Sequence, residues 1–171
     1  MTPEQRAARI RLVALDVDGV LTDGRLYYGP QGEALKVFDV RDGHGIKMLL
    51  HQGVEVAILS ARSSEIVEAR ARELGIRRVL QGRGNKAAAW QELLAATGIA
   101  AEHAGFIGDD LPDLPVLARA GLAATVADAR LEVKNVAHWI APQSGGRGAV
   151  RALAEFILQA KGIAFAEMTQ G

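Results

Sequence analysis

Apolar runs of strand length, each ending in polar or glycine-rich residues and followed by a helical pattern, recur along this chain of 171 residues. They fall at 11–15, 54–59, 77–80 (a strand read on Val79 and Leu80 after two arginines), 104–107 and 122–126. Buried parallel strands read as nearly continuous apolar runs, whereas half-exposed antiparallel strands alternate. Helical patterns lie between them at 43–52, 63–74, 85–97, 111–119 and 130–137, and a last one covers 149–160. Ser63 or Ser64 fits an N-cap for the second of these and Gly75 its C-terminal stop. This alternation predicts an α/β fold, a doubly wound and mostly parallel sheet covered by helices on both faces. Two short alternating runs around Gly29-Pro30-Gln31-Gly32 break the rhythm and predict a β-hairpin over 25–38. Sheets of this kind bind ligands beyond the carboxyl ends of their strands. The residues that follow each apolar run are therefore where chemistry is expected.

The first run leads into Asp16-Val17-Asp18-Gly19-Val20-Leu21-Thr22. Carboxylates two residues apart on an extended chain point to the same side, and Gly19 permits a sharp exit. Such a pair makes a cation site, an acid/base pair, or both. The second run ends in Ser60-Ala61-Arg62. A hydroxyl there can donate to a phosphoryl oxygen while Arg62 reaches a second anionic group; taken alone, Ser60 fits a helix cap. Lys86 opens the helical pattern after Gly82-Arg83-Gly84-Asn85. An ammonium at a helix N-terminus opposes the helix dipole, which points to a task such as neutralising phosphate or a carboxylate. The fourth run ends in Gly108-Asp109-Asp110-Leu111-Pro112-Asp113. Helix capping accounts for Asp110 and leaves Asp109 unexplained. Mg²⁺ prefers oxygen ligands and keeps several waters, so two carboxylates and a carbonyl suffice to hold it.

In this order the four groups resemble the four motifs of the haloacid dehalogenase superfamily, beginning with DxDGxLT at 16–22. The resemblance implies that Asp16 is the nucleophile and Asp18 the general acid/base, with Ser60 and Lys86 stabilising phosphoryl charge. It implies Mg²⁺ held by Asp16, Asp109 and the backbone carbonyl of Asp18, with Asp110 and Asp113 as outer or weaker ligands. Ala61 stands where a related pattern has glycine. The stretches 16–60 and 60–86 are filled by the elements already named, so no cap domain is expected over the site. An uncapped site is open to water, which is poor for phosphoryl transfer. Either the substrate is large or neighbouring subunits form the cover, and the hairpin with its exposed edges is the natural contact.

Thr22-Asp23-Gly24-Arg25-Leu26-Tyr27-Tyr28, Phe38-Asp39-Val40-Arg41-Asp42-Gly43, Gln81-Gly82 and Gly145-Gly146-Arg147-Gly148-Ala149-Val150-Arg151 extend the likeness. Together they resemble the 3-deoxy-D-manno-octulosonate 8-phosphate phosphatase family over about 10–162. That implies a capless, homotetrameric, Mg²⁺-dependent phosphomonoesterase of lipopolysaccharide precursor synthesis, working through an aspartyl-phosphate. Its hairpins would meet at the tetramer centre, and the tail 162–171 would reach a neighbour's site. This tail does not follow the family pattern, and Asp39 and His44 stand where that pattern has Asn and Tyr. A sugar-acid substrate brings a carboxylate besides its phosphate, which makes Arg62, Arg41 and Arg147 candidate partners. For Arg41 a salt bridge with Asp39 or Asp42 is an equal alternative. Arg147 lies in a glycine-rich segment that suits a gate or a plain loop.

Lys+Arg and Asp+Glu are both 20, so no net basic field favours nucleic acid or an anionic membrane. The absence of Cys excludes disulfides, thiolate metal sites and cysteine nucleophiles. The first residues lack the apolar core of a signal peptide and no stretch is long enough to span a bilayer, so a cytoplasmic protein is expected. With 49% hydrophobic residues, one domain over 1–171 is expected, with Trp90, Trp139 and Phe156 in its core. Two other functions share these residues. One is a phosphatase for a nine-carbon sugar acid 9-phosphate on the same scaffold. The other is a receiver-like phosphoacceptor domain, which also uses acids, Ser/Thr, Lys and Mg²⁺ but carries its acceptor Asp on a later strand.

Overall fold

The structure is a computed structural model that describes residues 1–168. Its centre is β1 (Leu12–Leu15), four apolar residues without solvent exposure. To one side β1 pairs in parallel with β4 (Glu55–Leu59), which pairs with β5 (Arg78–Leu80). To the other it pairs with β6 (Ala104–Ile107), followed by β7 (Leu122–Thr125) and β8 (Trp139–Ile140), again all parallel. The order β5-β4-β1-β6-β7-β8 puts the reversal of winding beside β1. That is where a doubly wound sheet opens its ligand crevice.

The helices follow the expected alternation: α2 (Val40–His51), α3 (Glu65–Leu74), α4 (Lys86–Thr97), α5 (Leu114–Leu117), α6 (Leu131–Val136) and α7 (Ala149–Ala160), after a short α1 (Pro3–Ala7). The helices α1, α2, α3 and α7 pack together, and α4, α5 and α6 form the second layer. The close crossing of α2 and α7 depends on Gly45, where a Cβ would stand 2.8 Å from the Arg151 Cα. The aromatic residues behave as core: Trp90 meets Phe106 edge-on at 6.2 Å, and Trp139 stacks on Phe156 at 5.0 Å.

Several boundaries differ from the sequence pattern for local reasons. Helix α2 begins at Val40 rather than at 43, because the Asp39 side chain accepts from the Arg41 N–H and caps the helix early. The helix expected over 111–119 is broken into a 3₁₀ turn, Leu111–Asp113, and the short α5, with prolines in the first turn of each. Ser64 holds the N-cap position of α3 without a capping bond, its hydroxyl donating instead to Glu33 Oε2 (2.6 Å). The two-residue edge strand β8 is too short to announce itself by periodicity.

The predicted hairpin forms as an antiparallel ribbon, β2 (Tyr27–Gly29) and β3 (Gly32–Leu35), outside the main sheet. It lies between β1 and α2, on the end of the sheet where β1 and β4 finish. Of the tail, Phe165–Met168 forms a short α8. Its Glu167 carbonyl accepts from Gln52 Nε2 (3.2 Å), at the end of α2 far from the β1 exit. Residues 169–171 of the predicted tail lie outside the described residues. Among the described residues no helix is long and apolar enough to cross a membrane.

Candidate active site

Beyond Leu15 the chain leaves the sheet in a wide turn, Val17–Leu21, closed by the Thr22 N–H donating to the Val17 carbonyl (3.0 Å). Gly19 takes φ +92° in this turn, and any Cβ there would collide with the Asp109 carboxylate. The glycine thus lets the ends of β1 and β6 close on each other. Asp16 and Asp18 both face one cleft of about 340 Å³, with Ser60, Arg62, Lys86, Asp109, Asp110 and Asp113. All four sequence groups converge there.

Asp16 is 7% exposed, and its Oδ1 lies 2.9 Å from Lys86 Nζ. Lys86 is itself 5% exposed and donates also to Asp113 Oδ1 at 2.6 Å. The lysine at a helix start is thus explained: two carboxylates outweigh the helix dipole and the cost of burial, and raise its pKa. Asp113 is 1% exposed, and its Oδ2 accepts from the Asp109 and Asp110 N–H groups at 2.9 and 3.2 Å. Its oxygens are taken up in fastening Lys86 and the loop after β6. Asp110 acts as the cap that the sequence suggests, accepting from the Leu111 N–H.

Burial pushes the Asp16 carboxyl up to about 6, with the Asp113 charge adding and the Lys86 ammonium opposing. Burial, then the charges of Asp16, Asp113 and Asp110, lift Asp109 to about 7. Asp109 Oδ1 is buried without a hydrogen-bond partner. Carboxylate oxygens of Asp16, Asp109 and Asp113 lie within 4.8 Å of one another. Crowded carboxylates with an orphaned oxygen, hard oxygen donors throughout, fit a divalent cation such as Mg²⁺. Asp16 and Asp109 carry oxygens for it, whereas those of Asp113 are committed to N–H and ammonium donors.

Ser60, 3% exposed, accepts from the Arg62 N–H at 3.3 Å, which leaves its O–H to donate into the cleft. Arg62 lines the same cleft, with Nε 3.6 Å from Asp18 Oδ2 and Nη2 3.3 Å from the Tyr28 hydroxyl. Arg41 and Arg147 are placed elsewhere. They line a second cleft of about 320 Å³ with Arg25, Tyr27 and Asp39. Arg41 is engaged by Asp39 (2.7 Å), the salt bridge weighed from the sequence, and donates to the Arg147 carbonyl (2.9 Å). The glycine-rich segment holding Arg147 is packed rather than loose. The Gly146 N–H donates to the Val20 carbonyl (2.8 Å), and a Cβ on Gly145 would collide with the Gly19 carbonyl. Buried Asp42 fastens the same segment, accepting from Gly148 and Arg151 N–H groups.

Two residues from the hairpin that the sequence did not point to stand against Asp18 and Arg62, behind the cleft. Lys36 Nζ lies 2.5 Å from Asp18 Oδ1 and 2.9 Å from Glu33 Oε1. A spacing of three residues within a strand would put Glu33 and Lys36 on opposite faces. They meet because Lys36 lies just past the end of β3, and no sequence signal distinguishes them from surface charges.

Known proteins resemble this chain over most of its length. The family of haloacid dehalogenase-like hydrolases matches residues 76–153. The 3-deoxy-D-manno-octulosonate 8-phosphate phosphatase KdsC of Yersinia pestis is 48% identical over 157 residues, which is 92% of this chain and 84% of that protein. A crystal structure of the phosphatase of that name from Moraxella catarrhalis, in complex with magnesium ion, phosphate ion and KDO, superposes with a TM-score of 0.91 at 41% identity. It covers 94% of this chain and 92% of that one. The cobalt-bound enzyme of Haemophilus influenzae gives a TM-score of 0.91 at 46% identity, covering 92% of both chains.

Proposed function

Because this chain belongs to the 3-deoxy-D-manno-octulosonate 8-phosphate phosphatase family of haloacid dehalogenase-like hydrolases, we propose that it hydrolyses that sugar-acid phosphate to the free sugar acid and phosphate. Mg²⁺ is its cofactor. The observation that carries this reading is the convergence of Asp16, Asp18, Ser60, Lys86 and Asp109 on one open cleft at the strand ends. A receiver-like domain would carry its acceptor on a later strand; here the buried, lysine-paired carboxylate follows β1.

Asp16 attacks phosphorus in line, and Lys86 at 2.9 Å favours the ionised carboxylate that attack requires. As the phosphorus–ester bond breaks, Asp18 gives its proton to the departing sugar oxygen. Asp18 then takes a proton from a water whose oxygen bonds phosphorus, and the phosphorus–Asp16 bond breaks, restoring the free carboxylate. Lys86 and the Ser60 hydroxyl receive the phosphoryl oxygens, so most of the catalysis is positioning and electrostatics. The cation, held by the Asp16 and Asp109 carboxylates and the Asp18 carbonyl, supplies positive charge against the phosphoryl oxygens. Arg62, beside Asp18 and exposed to the cleft, pairs with the substrate carboxylate.

Arg41 and Arg147, on the second cleft, bind substrate in this reading only where a second subunit brings the two clefts together. The hairpin exposes Leu26, Tyr28, Leu35 and Val37, with Val40 beside them. An apolar patch of this kind supports self-association, as a homotetramer, which would also cover the open site. Light scattering of a stable monomer would overturn that part. Cytoplasmic residence and a place in lipopolysaccharide precursor synthesis complete the proposal. The test is Mg²⁺-dependent phosphate release from a panel of sugar phosphates. Preference for the eight-carbon acid 8-phosphate is expected; equal or better hydrolysis of a nine-carbon acid 9-phosphate would move the substrate and keep the chemistry.

A further inference from the structure

The Asp18 carboxyl lies between two cations of different origin. Lys36, from the hairpin, takes Oδ1 at 2.5 Å, and Arg62, from the end of β4, stands 3.6 Å from Oδ2. The Lys36 side chain is 2% exposed, although it follows directly on a ribbon whose Tyr27, Tyr28 and Leu35 face solvent. Its ammonium is shared with Glu33 Oε1 at 2.9 Å, and Glu33 is moored in turn by the Ser64 hydroxyl at the start of α3. A lysine this buried and this closely held by two carboxylates is no solvated surface charge.

We propose that Lys36 is a positioning residue for the acid/base step: by occupying Asp18 Oδ1 it fixes the carboxyl so that Oδ2 alone faces the reacting atoms. The inference rests on the role given to Asp18 above. Oδ2 then carries the proton that goes to the ester oxygen, and takes back the proton of the attacking water. The hairpin thereby has a second duty besides presenting an apolar surface. Its seating on Glu33 and Ser64 sets the orientation of a catalytic carboxyl carried by the turn after β1.

A leaving group that needs no proton separates this role from a merely structural one. The Mg²⁺-loaded full-length protein is assayed with 3-deoxy-D-manno-octulosonate 8-phosphate and with p-nitrophenyl phosphate, whose phenolate departs readily. General acid–base assistance contributes about 10²–10⁴-fold, so losing its orientation in Lys36→Met should lower kcat for the sugar ester by roughly 10²-fold with KM within about threefold. On the aryl ester the same variant should release a rapid burst of nitrophenolate equal to the active sites, then turn over slowly, because water attack on phospho-Asp16 still needs Asp18. Lys36→Arg should restore most of the sugar-ester rate. Glu33→Gln, which keeps Lys36 but loosens it, should show the same pattern more weakly and gives the readout should Lys36→Met not fold. A parallel fall on both esters without a burst, or no fall on either, would overturn the role of Lys36. Failure of the parent protein on both esters would instead overturn the proposed function.

Discussion

Removing the Asp113 side chain tests how the cleft is held together. Asp113 is 1% exposed and serves three donors: Lys86 Nζ at 2.6 Å and the N–H groups of Asp109 and Asp110 at 2.9 and 3.2 Å. Breaking one partner out of a buried charge pair costs about 3–5 kcal/mol. Each N–H left dry adds about 1–3 kcal/mol, although water from the open cleft can satisfy part of that. Against this, Asp113 is among the charges that raise the pKa of Asp16 and Asp109, and its loss relieves them. The net effect of Asp113→Ala is therefore about 3–4 kcal/mol of stability, or a Tm lower by roughly 10 °C for a chain of this length. Lys86 loses one of its two anchors, so kcat for phosphate release should also fall, by about 10²-fold. Asp113→Asn keeps an acceptor for the loop N–H groups and loses the lysine. It should recover about half the Tm loss and little of the activity. Thermal unfolding by circular dichroism and a phosphate-release assay read the two effects. A Tm for Asp113→Ala within about 2 °C of the parent, or identical behaviour of the two variants, would refute a fastening role.

Three further outcomes follow from the same geometry. In the metal-free protein Asp16 and Asp109 hold their protons to about 6 and about 7, against 3.8 for an unperturbed Asp. The native state thus binds more protons than the unfolded chain across that interval, and metal-free stability should fall as pH rises from about 4 to about 7. Mg²⁺ competes with those protons, so the rise in Tm on adding it should be larger at about pH 8 than at about pH 5; equal rises at both would contradict the assignment. Gly145→Ala should press on the Gly19 carbonyl and displace the turn that carries Asp18. A loss of about 1–3 kcal/mol and at least about tenfold in kcat is expected, and unchanged kinetics would show that the turn does not depend on this contact.

The four central strands β1, β4, β6 and β7 were legible because they are buried on both sides and need nearly unbroken apolar runs, which no other element here resembles. The convergence of 16, 18, 60, 86 and 109 was legible for the same reason, since a doubly wound sheet gathers the residues after its strands at one edge. What stayed hidden depends on tertiary contacts. Asp113 reads as one more acid until Lys86 is seen 2.6 Å away, and Lys36 reads as a surface charge until the ribbon folds back over Asp18. The sequence could not separate the three arginines by place. Their chemistry suits a carboxylate, but only Arg62 lines the cleft, while Asp39 and the backbone of the glycine-rich segment engage Arg41.

The central claim is that Asp16 carries the phosphoryl group, and acid quenching of the Mg²⁺-loaded protein during turnover tests it most directly. With phosphate-labelled substrate and peptide mapping, label should be found on Asp16, absent from Asp16→Asn, which should also have lost turnover. Full turnover with no label on Asp16, or label on another residue, would contradict it.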